Sequence, residues 1–244
     1  MCTVTILPRS LLSSDASSDR LLLRVVCNRD ELLTRTPALP PTLWRAGARR
    51  VLMPIDPTSG GTWIAANDAG LVFVVFNANH GTSAPAGAFS RGTIIPTLVG
   101  CATVSRALDE AQRIRASRFA PFRLLIIDRN EIVDCRPDGD HIRSRRSHLR
   151  GPILRTSSGL GDAVVVGPRR TLFQRTFGHA RNARAAQDQY HHHQWSGREA
   201  ISVSMRRDDA ATVSRTIVQV REGSVRLSYQ AIEWSRPISV QVAA

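Results

Sequence analysis

Lysine is absent from this chain: every one of its 33 basic side chains is arginine, set against 20 acidic ones. Surfaces that grip phosphates normally use both cations, so the bias reads as coding composition and not as a binding device. The arginines are dispersed, with one short cluster in RSRRSHLR (143–150), and no recognition helix, zinc finger or RNP-type motif accompanies them. The net charge of +13 predicts non-specific affinity for polyanions at low salt, with no specific nucleic-acid partner.

Cysteine is scarce too. Cys2, Cys27, Cys101 and Cys135 are far apart and form no C-x-x-C pair, which excludes a disulfide framework and a structural zinc site. Nothing calls for a metal or a cofactor. No apolar run approaches the roughly 18 residues of a membrane span, and no charged n-region precedes an apolar h-region as in a secretory signal. A cytoplasmic, reducing setting is therefore expected. There is no internal repeat and no linker. With 42% hydrophobic residues, enough for a substantial core, the expectation is one α+β domain over 1–244.

What is present is mostly strand. CTVTILP and RLLLRVVCN are apolar on both parities, as in strands covered on both faces. After a turn at PTSGG, TWIAAN and GLVFVVFN read as a hairpin around DAG, and FRLLIID and EIVDC as another around RN. ISVSMR, TVSRTIVQV and VRLSYQAIE are the last expected strands. Helical spacing runs from Arg91 to Ser117, through Ile94, Ile95, Leu98, Val99 and Ala102, then Val104, Ala107, Leu108, Ala111 and Ile114. GPRRTLFQRTF predicts a helix with proline in its first turn. The aliphatic-poor stretch 178–198 predicts a polar surface excursion. Its triple histidine could take up nickel or copper, but reads first as part of a solvated loop.

Cys2 follows the initiator methionine. Aminopeptidases remove Met1 before a small residue, which would put a free amine and a thiol on one residue. An α-amino group titrates at about 7.7–8.0, so part of it is unprotonated at neutral pH and can take the thiol proton. The alternative is a small apolar residue opening a strand. NRDE (28–31) bears on the choice, because an N-terminal nucleophile needs a carboxylate to position its amine and a cation or dipole to favour its thiolate. In a regular strand Asn28 and Asp30 share one face and Arg29 and Glu31 the other. A turn at ELLTRTP would break that parity. The alternative here is a surface salt-bridge cluster.

MCTV, CNRDE and DPTSGGTWIAANDAGLVFVVFN, continued by GPRRTLFQRTF and MRRDDAATVSRTIVQV, resemble the NRDE family, related to transport and Golgi organisation protein 2. That family is similar to N-terminal nucleophile hydrolases of the choloylglycine hydrolase and penicillin V acylase type. The resemblance implies a four-layer αββα sandwich of two stacked antiparallel sheets flanked by helices. It implies Cys2 as nucleophile, Arg29 and Asp30 as its supports, and Asn77 as an oxyanion donor, a role that a side-chain NH₂ can fill. A turn-capping role for Asn77 stays open. The acylases space their arginine and aspartate as R-x-x-D, whereas here the two are adjacent. For their downstream asparagine only Ser157 and Ser158 are candidates, and for their late arginine Arg207 and Arg215.

Two function classes follow from the resemblance. One is a hydrolase or acyltransferase acting on a linear amide through a thioester at Cys2, with a small-molecule substrate. The other is a non-catalytic member that binds or ferries a hydrophobic ligand such as haem or acyl-CoA, with His80 and Met205 as conceivable haem ligands. Either leaves a homo-oligomer open.

Overall fold

The computed structural model of the chain describes residues 2–12, 20–78 and 87–233. The runs apolar on both parities become neighbouring strands, β1 (Cys2–Pro8) and β2 (Leu21–Leu32), paired antiparallel with Cys2 opposite Arg29. Two sheets form. The larger is an antiparallel meander of β3 (Leu39–Ala46), β4 (Arg49–Ile55), β5 (Ile64–Asn67), β6 (Val72–Asn77), β7 (Phe122–Ile127), β8 (Glu131–Asp138) and β9 (His141–His148), in that order. The smaller sets β1 and β2 at its centre, with β10 (Ile153–Thr156) beside β1, and β11 (Ala210–Arg221) and then β12 (Ser224–Ala231) beyond β2.

Strand alternation then builds the layers. Val4, Ile6, Leu23, Val25 and Cys27 from the smaller sheet meet Ile64, Val72, Val74, Leu125 and Ile127 from the larger, making a core between the sheets. The opposite parity of the larger sheet, including Phe73, Val75, Phe122 and Leu124, packs on Ile94, Ile95 and Leu98 and on helix α1 (Val104–Gln112). The other face of the smaller sheet is covered by α2 (Asp162–Gly178) and α3 (Ala183–His192). The result is the expected αββα sandwich. Within the described residues no helix is long and apolar enough to cross a membrane.

Both expected hairpins form, and the last two strands pair as read. The helical reading of 91–117 marks most of its buried residues, although Ala102 is exposed and Leu108 and Ile114 are half-buried, and it misses the backbone. Pro96 and Gly100 interrupt it into 3-10 turns at Arg91–Thr93 and Ile95–Thr97, and α1 starts only after Thr103 caps it through Arg106 N–H at 3.2 Å. Cys101 therefore precedes the helix. The helix read at GPRRTLFQRTF begins six residues before Pro168, which ends up inside α2. The carbonyl it leaves without a partner belongs to Val164, a half-exposed residue within reach of water. ISVSMR gives a 3-10 turn at Glu199–Ile201 and no strand. The strands that sequence missed are prolyl (β3), opened by two arginines (β4), arginine-rich (β9) or short (β10).

The stretch 178–198 is corrected most. It contains α3, whose Ala186, Gln187, Tyr190 and His191 are buried, so the triple histidine lies at a helix end and not in a solvated loop. The buried face of α3 is largely polar and is satisfied by hydrogen bonds. Gln187 Nε2 donates to Thr5 Oγ1 at 2.8 Å, and Tyr190 donates to the Arg169 carbonyl at 3.1 Å. A search for hydrophobic periodicity cannot see such a face.

Candidate active site

β2 runs straight through NRDE to Leu32, and the chain turns only afterwards, so strand parity holds. Arg29 and Glu31 share the inter-sheet face with Cys2. Asn28 and Asp30 face α2 and α3 instead.

At the end of the sandwich where β1 begins, Cys2, Arg29 and Asn77 come together in a cleft of about 160 Å³, walled also by Glu31, Arg35, Asp56, Trp63 and Arg91. The Arg29 guanidinium lies 4.2 Å over the Trp63 ring and donates to Asp56 Oδ2 at 3.1 Å and Glu31 Oε2 at 3.2 Å. Such a clamp fixes a flexible cation by stacking and by charge-assisted bonds. Arg35 donates to the same Asp56 oxygen at 2.9 and 2.6 Å. Burial tends to lower the Arg35 pKa, but the bond to Asp56 and its charge outweigh this, and the net shift is upward.

The DPTSGG turn is what places Asp56. Its Oδ1 accepts from Thr58 N–H at 3.0 Å, and its carbonyl accepts from Gly60 N–H at 2.8 Å, Gly60 being at φ +66°. Gly61 then passes the backbone of Gly92 so closely that a Cβ on Gly61 would stand 2.3 Å from the Gly92 carbonyl carbon. Two glycines thus bring Arg91 to the wall of the cleft.

Cys27 is an unforeseen member. It pairs in register with Val4, two residues along from the Cys2–Arg29 pair, so both cysteines lie on the inter-sheet face. The hydrogen bond from Cys27 lowers the Cys2 pKa, against the effect of burial, and Arg29 adds to the lowering while Asp30 opposes it. Conversely, the bond to Cys2 and burial push Cys27 well above the usual thiol range. Of the two, Cys2 is therefore the easier to ionise.

Asp30 stays out of the cleft. It is 2% exposed, its Oδ1 accepts from Thr212 Oγ1 at 2.6 Å, and Arg169 Nη2 lies 4.0 Å from Oδ2. Burial raises its pKa despite the Arg169 charge. Arg169, buried under α2, also donates to Thr3 Oγ1 at 2.8 Å and Thr156 Oγ1 at 2.7 Å, tying β1 and β10 to the helix.

Of the downstream candidates, Ser157 touches the nucleophile position. Cys2 N–H donates to Ser157 Oγ at 3.4 Å, and Ser157 N–H to the Cys2 carbonyl at 3.0 Å. Ser158 instead shapes the loop before α2, its N–H donating to Asp162 Oδ1 at 3.0 Å. Arg207 pairs with Asp209 at 2.9 Å, near enough to Asp30 to bear on its charge. Arg215 turns to the helical side, donating to Asn28 Oδ1 at 3.2 Å and the His191 carbonyl at 2.9 Å. Met205 is buried beside this network, its N–H donating to Thr212 Oγ1 at 2.9 Å, and His80 lies outside the described residues.

Asn77 ends β6 half-buried, and its side chain makes no hydrogen bond to a described residue. The turn-capping asparagine is Asn67, whose Oδ1 accepts from Ala69 and Leu71 N–H while its Nδ2 donates to the carbonyls of Val99 and Cys101.

No curated protein matches the chain by sequence. Among solved structures, it is similar to a Caenorhabditis elegans N-acylethanolamine-hydrolyzing acid amidase ortholog, with 12% identity and a TM-score of 0.59 over 88% of this chain and 92% of that one. It also aligns with the C2A mutant of a conjugated bile acid hydrolase from Clostridium perfringens, with 8% identity and a TM-score of 0.46 over 100% of both. The fold is that of the N-terminal nucleophile hydrolases. The profile of the family Transport and Golgi organisation 2 matches residues 10–226, and the chain belongs to that family.

Proposed function

We propose that Cys2, once Met1 is removed, is the nucleophile of an amidohydrolase or acyltransferase acting on a linear amide. The observation that carries this reading is the shared cleft of Cys2, Arg29 and Asn77. The freed amine takes the thiol proton, and the thiolate adds to the amide carbonyl. Asn77 Nδ2 donates to the oxygen as it becomes negative. The C–N bond then breaks, the amine leaves with a proton, and water or a second amine cleaves the Cys2 thioester. Asp30 and Ser157 position the amine from the far side of β1. Arg29, held by Asp56 and Trp63, supports the thiolate. The neighbour named for hydrolysing N-acylethanolamines supports an amide as the bond cleaved. Walls of arginine and carboxylate disfavour haem or another hydrophobic ligand in this cleft.

The reading is tested by trapping. Untagged protein incubated with a panel of N-acyl p-nitroanilides should gain the acyl mass on the Cys2 peptide and lose it to hydroxylamine. Protein bearing an uncleaved N-terminal tag should gain none, because an amide nitrogen cannot serve as the base. Equal acylation of the tagged protein, or acylation elsewhere only, contradicts the proposal.

A further inference from the structure

RSRRSHLR, the one arginine cluster of the sequence, has no part in the cleft. Most of it lies in β9, the edge strand of the larger sheet. β10 is the edge strand of the smaller sheet, and the side chains of β9 from 143 to 148 are exposed. Arg155 of β10 pairs in register with Val4 and shares its inward face. Arg123, Asp134 and Arg136 have the inward parity of Leu125 and Ile132 on their own strands, and Arg143 and Arg145 lie opposite Arg136 and Asp134. The ledge so formed encloses about 520 Å³, within the usual range of small-ligand sites.

Its charge is lopsided. Five guanidiniums surround one carboxylate, Asp134, which binds Arg123 through both oxygens, Arg155 at 3.0 Å and Arg136 at 3.6 Å. Arg143 pairs with Asp138 at the rim, and Arg145 has no acidic partner among the described residues. Arg123 and Arg155 are largely buried at the floor, whereas Arg136 and Arg143 stand exposed at the mouth. Burial and the adjacent Arg123 charge depress the Arg155 pKa, which marks the crowding of like charge at the floor. A bound anion would relieve that crowding. Guanidinium forks match phosphate oxygens in pairs, and several forks in one concavity favour more than one phosphate.

We propose that this ledge binds a small polyphosphate anion, of the class of inorganic pyrophosphate or a nucleoside diphosphate. It is separate from the cleft of Cys2, although Arg123 stands 5.8 Å over Phe76, which lines that cleft. A depression with floor and rim suits a compact ligand, whereas a nucleic acid would need a longer basic track.

The test is calorimetric titration of the full chain with inorganic pyrophosphate at physiological salt, comparing two variants with equal loss of charge. Arg136→Gln with Arg145→Gln removes two exposed cations of the ledge. Arg113→Gln with Arg115→Gln removes two exposed cations near the end of α1. One saturable site is expected, weakened about tenfold or more by the ledge pair and less than about twofold by the control pair. Equal weakening by both pairs, or no saturable site, overturns the proposal in favour of a diffuse cationic field. It is also overturned if a single-stranded oligonucleotide binds through the ledge and pyrophosphate does not displace it, since the surface would then serve nucleic acid.

Discussion

Cys2 and Cys27 stand diagonally across β1 and β2 on the face that the two sheets share, close enough for each thiol to bear on the ionisation of the other. The pair makes one sulfur easier to ionise and the other harder.

Removing the donor has a defined sign. Cys27→Ala should raise the Cys2 pKa and move the pH midpoint of its iodoacetamide reaction upward, while Cys27→Ser, which keeps a donor, should move it less. Arg29→Gln should also raise the midpoint, and Asp30→Asn should lower it, because that carboxylate opposes the thiolate. Peptide-resolved labelling against pH reads all four. A midpoint unmoved by Cys27→Ala removes the pair from the chemistry.

The two asparagines at the ends of the β5–β6 hairpin should separate function from stability. Asn77→Ala is expected to cost on the order of 10²–10³ in kcat with little change in Tm, as for loss of an oxyanion donor. Asn67→Ala leaves the Val99 and Cys101 carbonyls without their donor and should cost about 2 kcal/mol or more in stability. Denaturant unfolding beside an activity assay distinguishes them, and a destabilised Asn77→Ala with unchanged kcat would make Asn77 structural.

His191 gives the fold a pH dependence. Its Nδ1 bonds Asn28 Oδ1 at 3.0 Å and its Nε2 bonds Thr5 Oγ1 at 2.7 Å. Gln187 and Arg215 donate into the same groups, which assigns the neutral tautomer with its proton on Nδ1. Burial first, then the Arg215 charge, holds its pKa well below the usual value. The unfolded chain therefore takes up a proton near pH 6.5 that the native state does not. Stability from this group is complete above that pH and falls by up to about 1.4 kcal/mol per unit as pH drops below it. Urea unfolding from pH 7.5 to 5 measures the slope, and His191→Gln should flatten it. An unchanged slope in the variant assigns the effect to other groups.

How far the sequence revealed this arrangement depended on the kind of residue. Apolar runs on both parities placed β1 and β2 in the interior, but strand parity alone left NRDE open, and only the continuation of β2 to Leu32 puts Arg29 and Asp30 on opposite faces. The missing parts are polar groups buried by pairing. Arg169, Gln187 and His191 lie in aliphatic-poor segments, and their burial depends on partners far away in sequence, such as Thr3 and Thr5. Asp56 was hidden inside an ordinary turn motif. Cys27 was legible in principle, because it is two residues from Arg29 and so on the same face, but its meaning required knowing which strand lies opposite.

The most direct test of the account is intact-mass analysis of untagged protein, followed by timed iodoacetamide mapping near neutral pH. The account predicts a mass lacking Met1 and Cys2 alkylated first. Cys2 and burial push Cys27 well above the usual thiol range, burial raises Cys101, and burial and Asp134 push Cys135 up to about 12. Retention of Met1, or alkylation of Cys2 no faster than the other three, would contradict the assignment of Cys2 as the nucleophile.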